Sequence, residues 1–166
     1  MSTTDNLKDA FAGESQANRK YLAYGEQAAK DGYAQVAKLF RAVAAAETVH
    51  ALAHLRAMDG VKGTVENLTA AMAGEDYEVK EMYPPMLAAA KAEGHKKAER
   101  SMTHALEVEK VHYGLFQQAL DAVKAGKDIP AATILVCPVC GHTVVGDAPD
   151  DCPICHAKGD KFAEVA

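Results

Sequence analysis

The sequence predicts a mainly α protein, a four-helix bundle followed by a small metal module built on four cysteines. Three observations lead there. Glu47-Thr48-Val49-His50 lies on an apolar stripe of helical period, Val36, Phe40, Val43, Glu47, His50, His54 and Ala57. Glu109-Lys110-Val111-His112 lies on another: Ala98, Met102, Ala105, Glu109, His112, Phe116 and Val123. All four cysteines fall between 137 and 155, as two Cys-x-x-Cys pairs. A carboxylate and an imidazole three residues apart share one helix face, within reach of one ion. One such pair is a weak signal. Two that face inward from two helices match the way four-helix bundles hold a pair of metal ions.

Bulk properties set the bounds. A chain of 166 residues is long enough for one core plus a small module. With 49% hydrophobic residues it is globular, and abundant Ala without Trp favours closely packed helices. The net charge of −5 argues against nucleic acid or an anionic membrane as the main partner. No apolar run approaches the roughly 20 residues of a membrane span. The polar start, Met-Ser-Thr-Thr-Asp-Asn, has no signal-peptide apolar stretch. Paired cysteines in such a chain read as a metal site before they read as disulfides, and the expected location is cytoplasmic.

The first helix is expected from about Thr4 to Lys30, with Ser2, Thr3, Thr4 and Asp5 as candidate caps. Its stripe is Leu7, Phe11, Glu14, Ala17/Asn18, Tyr21, Gly25 and Ala28, which puts Glu14 on the core side. Asp31-Gly32 ends it and makes an antiparallel hairpin with a second helix over about Tyr33 to Asp59. Gly60 to Gly63 breaks the pattern, and Thr64 is a candidate cap for a helix to Ala73. The pattern leaves open whether Gly74 interrupts that helix and whether 60–73 crosses over along the bundle. Glu75, Glu78 and Glu81 follow at steps of three, a spacing that suits either a solvated acidic face or a third wall of the metal site. Tyr83-Pro84-Pro85 should kink the helix or end a segment of it. A fourth helix is expected from about His95 to Ala125. The implied domains are 1–126, a linker at 127–132, and 133–166, the last opening on a short strand, Thr133 to Val136.

The two clusters differ in chemistry. Cys137, Cys140, Cys152 and Cys155 make a tetrahedral sulfur cage that suits zinc, as a structural ion, or a single iron, as an electron carrier. Glu14, Glu47, Glu75, Glu78 and Glu109 with His50 and His112 are hard donors with one imidazole per metal, which suits iron or manganese. Five ionised carboxylates nearly cancel the charge of two ferrous or two ferric ions. Buried without cations they would be protonated or destabilising. Arg19 and Arg41 are the alternative partners for a buried Glu, while His54, His95 and His104 lack the preceding carboxylate.

These residues resemble the rubrerythrins. The likeness runs through Gly-Glu-Ser-Gln-Ala at 13–17, Glu47-x-x-His50, Ala-Gly-Glu-x-x-Glu at 73–78, Met-Tyr-Pro at 82–84, Glu109-x-x-His112 and the double Cys-x-x-Cys. The resemblance implies a ferritin-like bundle with a di-iron site, joined to a rubredoxin-like domain with one iron on four cysteines. It implies that Glu47 and Glu109 bridge the irons. Glu14 with Glu78 or His50 would hold one iron, and Glu75 with His112 the other. The exchange of one iron between a Glu and a His would fall on Glu78 and His50. Tyr21 and Tyr83 match family tyrosines near the site. The implied activity is peroxidase: hydrogen peroxide is reduced to water in oxidative-stress defence, by a homodimer drawing on NAD(P)H through a separate reductase or redox protein. The alternatives are a ferroxidase or iron-handling protein and a helical scaffold with a zinc ribbon. Two positions depart from the family: His142 replaces a usual tyrosine, and His156 replaces a usual glycine, which calls for a left-handed backbone or a different turn.

Overall fold

A computed structural model describes residues 2–165. The chain divides into two compact units, Met1–Lys62 and Gly63–Ala166.

The first unit is an antiparallel hairpin of α1 (Thr3–Lys30) and α2 (Ala34–Ala57). Ser2 caps α1 through a capping box: its hydroxyl accepts from the Asp5 backbone N–H, and its own N–H donates to the Asp5 carboxylate. Gly32, at φ 86°, makes the tight turn into α2. The seam of the hairpin is made of small residues at heptad spacing. Ala37, Ala44 and Ala51 on α2 are buried, as are Asn18, Gly25 and Ala28 on α1. A Cβ on Gly25 would stand 3.3 Å from the Ala37 carbonyl, a tight contact that Gly avoids. The larger stripe read from the sequence, Val36 to His50, is therefore not the seam of the hairpin; Val36 is 44% exposed and His50 is exposed too.

In the second unit, α3 (Thr64–Tyr77) runs without a break through a π-helical turn (Glu78–Met82) into α4 (Tyr83–Ala92). One expectation changes here, and two points that the sequence leaves open are settled. Gly63, not Thr64, is the N-cap. Gly74 sits inside the helix, so 60–73 is no separate crossover and residues 58–63 are all that separate α2 from α3. Pro84 and Pro85 do not stop the helix: they fall in its first turn after the π segment, where a missing N–H costs least. Gly94, at φ 68°, then reverses the chain into α5 (Lys96–Lys124), which packs antiparallel to α3 and α4 and is capped by the His95 side chain. His95 is thus engaged as a cap.

The cysteine module follows as an antiparallel sheet in the order β2 (Thr143–Val145), β1 (Ile134–Val136), β3 (Ala163–Glu164). Leu135 pairs with Val144 on one side and Glu164 on the other. Each Cys-x-x-Cys forms a tight knuckle. The Gly141 N–H donates to the Cys137 carbonyl and the His156 N–H to the Cys152 carbonyl, both at 2.9 Å. Both closing residues are left-handed, Gly141 at φ 87° and His156 at φ 60°. His142 packs edge-on against Phe162, ring centroids 6.2 Å apart, in the place of the usual tyrosine.

An L side chain at the left-handed His156 carries strain of about 1 kcal/mol. His156→Gly should therefore stabilise the module by about that amount, read as a higher denaturant midpoint for loss of the metal–thiolate absorbance.

Candidate metal centres

Helix geometry gathers the donors into three groups. On the hairpin, Glu14 from α1 meets Glu47 and His50 from α2, with all their ligand atoms within 4.8 Å of one another. His50 Nδ1 lies 2.9 Å from Glu47 and 4.0 Å from Glu14. Asn18, one turn beyond Glu14, ties the helices beneath them: its Nδ2 donates to the Ala44 carbonyl at 2.7 Å and to Thr48 Oγ1 at 2.8 Å. In the second unit, Glu75 from α3 meets Glu109 and His112 from α5 in the same way, and His112 Nδ1 lies 2.7 Å from Glu109. Each group is two carboxylates and one imidazole, half of what two ions require.

No Lys or Arg side chain among the described residues forms an ion pair with Glu14, Glu47, Glu75, Glu78 or Glu109; their only ion-pair partners are His50 and His112. Arg19 and Arg41 do not play the compensating role open to them. The electrostatic consequence is plain in the second unit. Burial, and next the charge of Glu109, push the Glu75 carboxyl up to about 7. Glu78 is raised by burial and then by Glu109, so it faces the same charges without joining the triad. Glu81, by contrast, is exposed, which sorts the acidic run into two inward carboxylates and one solvated. Tyr83 is raised by burial and by the charges of Glu78, Glu109 and Glu75. Tyr21 sits in an aromatic cluster with Tyr24 and Phe40, its ring centroid 6.3 and 6.1 Å from theirs.

The third group is Cys137, Cys140, Cys152 and Cys155, all free thiols. Cys137 Sγ is 3.6 Å from Cys155 Sγ, and Cys140 Sγ is 3.6 Å from Cys152 Sγ. That is close to the edge of a tetrahedron with metal–sulfur bonds of about 2.3 Å. Burial alone would push the Cys152 thiol up, but the backbone N–H groups of Cys155 and Ile154 outweigh it and bring it down to about 7. Burial pushes Cys140 up. A cation would settle this mixed set as thiolates.

One contact links two of the groups. His112 Nε2 lies 3.0 Å from Thr143 Oγ1, and that hydroxyl donates to the Gly141 carbonyl at 3.1 Å, next to Cys140. With its one hydrogen committed to Gly141, the Thr143 oxygen accepts from Nε2–H. Nδ1 is the nitrogen that faces Glu109, at 2.7 Å, on the side of the metal donors. Sequence reading missed Thr143 and Asn18 in these roles. A polar residue on an otherwise apolar stripe was the signal for Asn18, whereas nothing local marks Thr143.

The donor sets define a di-metal carboxylate protein with a separate four-thiolate centre. The chain belongs to the rubrerythrin family. The Rubrerythrin family model matches residues 5–120 and the rubrerythrin rubredoxin-like domain matches 136–163. The chain is similar to Rubrerythrin-2 of Clostridium acetobutylicum, at 40% identity over 96% of this chain and 95% of that one. It is also similar to nigerythrin of Nitratidesulfovibrio vulgaris, at 37% identity over 97% and 85%. Among solved structures, the fully reduced, all-ferrous state of nigerythrin covers 99% of this chain and 87% of its own, with a TM-score of 0.59 at 32% identity. The cofactors that go with these two domains are a di-iron centre and a single iron on four cysteines, and the donor atoms fit both. The function is therefore iron-dependent redox chemistry.

The raised Glu75 gives a sign to the pH dependence of the metal-free protein. In the folded chain it ionises at about 7, against an ordinary 4.5. Its contribution to stability is fully present below about 4.5 and is lost as pH rises through about 7. Thermal melts of chelator-treated protein should show the midpoint falling across that window, and Glu75→Gln should flatten the fall.

Proposed function

We propose that the protein is a cytoplasmic homodimeric peroxidase that reduces hydrogen peroxide to water in defence against oxidative stress. In this reading residues 1–126 supply the di-iron part, 127–132 link, and 133–166 supply the electron-carrying centre. When bound, the iron pair supplies two electrons for cleavage of the O–O bond, and the thiolate-bound iron supplies replacements singly from a reductase or redox protein that draws on NAD(P)H.

The observation that carries this reading is the pairing of an uncompensated carboxylate–imidazole set with a four-thiolate set in contact with it through Thr143. Storage of iron needs no electron-carrying module beside the site, and a scaffold needs no crowded acids. Glu14, Glu47, Glu75, Glu78 and Glu109 hold and neutralise the ions, and His50 and His112 each give one a nitrogen. Glu109, flanked by Glu75 and His112, and Glu47, flanked by Glu14 and His50, would be the carboxylates shared between the ions. Burial and the charges of Glu78, Glu109 and Glu75 keep the proton on the Tyr83 phenol, which supports a role for it as a proton donor to a departing oxygen. Tyr21 lies two helical turns beyond Glu14 on the same stripe and serves as a packing wall with Tyr24 and Phe40. Four free thiols suit a reducing compartment.

Glu109→Ala should leave the red ferric–thiolate absorbance intact and cut peroxide turnover to background; retained turnover would reject the assignment. Wild-type protein should turn over peroxide without taking up iron beyond three ions per chain, as elemental analysis reads it. Thr143→Val removes the partner of His112 Nε2 and should weaken metal binding at the carboxylate centre by about tenfold while the thiolate spectrum stays unchanged.

A further inference from the structure

We infer that the groove between the first half of α5 and the two cysteine knuckles, both within the second unit, is the docking surface for a small acidic protein that delivers electrons singly to the four-thiolate centre. This rests on the reading of that centre as an electron carrier, and it adds the point of entry and the charge of the donor.

The sulfur set has a closed side and an open one. Cys137 and Cys152 are 1% and 0% exposed, while Cys140 and Cys155 are only part-buried. Electron transfer slows steeply with distance, so the open side is where a donor must approach. Apolar residues frame it. Val139, inside the first knuckle, is 57% exposed, and with Ile154, inside the second, and Cys155 it lines a groove of about 570 Å³. The opposite wall is α5, through Lys97, Arg100 and His104. Ser101 and His156 complete the lining, and no carboxylate takes part in it.

The charge on the α5 wall is uncommitted. Lys96 pairs with Glu99 at 2.9 Å and Lys110 with Glu107 at 2.7 Å, which neutralises the acids of this half of the helix. Lys97 and Arg100 are exposed and form no ion pair among the described residues. The cysteine module does not supply this charge itself. Residues 133–166 hold Asp147, Asp150, Asp151, Asp160 and Glu164 against Lys158 and Lys161. Alone, such a module repels an acidic protein. With α5 along its open side it presents two free cations there, in a chain whose net charge is −5. The positive rim is therefore a local feature beside the sulfurs, not a consequence of composition.

An apolar centre with a charged rim is the make-up of a protein recognition site, and complementary charge there speeds encounter more than it tightens the complex. A small, short-lived contact suits a donor that must leave after each transfer. Each encounter passes one electron: the carrier is oxidised by one, and the thiolate-bound iron goes from ferric to ferrous. Two encounters supply the two electrons that, with two protons, turn one peroxide into two waters.

Charge reversal tests this. Reduced flavodoxin, a small acidic flavoprotein, is the probe, and free reduced flavin mononucleotide is the control with the same redox group. Bleaching of the red ferric–thiolate absorbance in stopped flow reads the rate, with no peroxide present. Lys97→Glu with Arg100→Glu should slow reduction by flavodoxin by about tenfold or more at low ionic strength and leave the absorbance spectrum unchanged. Lys124→Glu with Lys127→Glu makes the same change of net charge at the far end of α5, roughly 36 Å from Arg100, and should leave the rate as it is. In about 1 M salt, where the Debye length is about 3 Å, wild type and reversal should converge. With zinc in the thiolate site, an NMR titration of oxidised flavodoxin should show the reversal as a Kd raised about tenfold, independent of any electron transfer. A reversal at 97 and 100 that behaves like the one at 124 and 127 overturns the docking surface. Free flavin slowed as much as flavodoxin would make the groove a site for a small anion, and also overturns it. Wild-type protein that flavodoxin reduces in this salt-sensitive way, but that passes no electrons to peroxide, supports the docking surface and overturns the peroxidase reading instead.

Discussion

Five glutamates that form no ion pair with a lysine or arginine among the described residues set the terms for this protein. A carboxylate in a helix interface raises its own pKa or finds a cation, and Glu75, pushed to about 7 by burial and Glu109, shows the cost of having none. Metal binding removes that cost and cross-links the helices in one event. The helices themselves are joined by modest seams, an Ala/Gly/Asn heptad in the hairpin and a few residues such as Val108, Leu87 and Ala90 in the second unit. Folding free energy and metal affinity are therefore coupled here.

The same logic runs through the cysteine module. A three-stranded sheet this small has almost no core beyond Cys137 and Cys152, the two largest side chains that are fully buried. Its order depends on four thiols that need a cation and on two left-handed knuckles. The Thr143 hydroxyl then joins the module to the helices by holding His112 Nε2 at 3.0 Å. A module held by metal thus sets up a ligand of the other centre, and the two sites are structurally interdependent as well as chemically complementary.

Much of this was legible in the residues. Helix extents, the Ser2 cap, the Gly32 and Gly94 turns and the strained His156 follow from local rules of capping and left-handed backbone. The carboxylate and thiol clusters follow from spacing on faces. Thr143 did not, because its role arises from packing between residues 31 apart in sequence. The hairpin seam was misread for a different reason. Val and Phe outweigh Ala in any apolar pattern, yet close helix approach favours Ala37, Ala44 and Ala51, leaving the bulkier stripe for another partner.

The π turn at Glu78–Met82 shows how function and packing share one helix. On an uninterrupted α-helix, Leu87 would sit about 120° around from Glu75 and Met86 about 20°, at 100° per residue. Met86 would then face α5. The structure buries Leu87 and Ala90 instead and leaves Met86 exposed. The π turn adds one residue to the helix and rotates all that follows by about 100°, bringing Leu87 and Ala90 onto the face of Glu75. Pro84 and Pro85 make this the natural place for it, since neither can donate to the ladder they interrupt. The two prolines thus permit a register shift, and the shift lets one helix present acids to the metal at one end and an apolar face to α5 at the other. Removing the prolines would remove the reason for the turn; straightening the turn would set Leu87 and Ala90 against solvent while Glu75 kept its place.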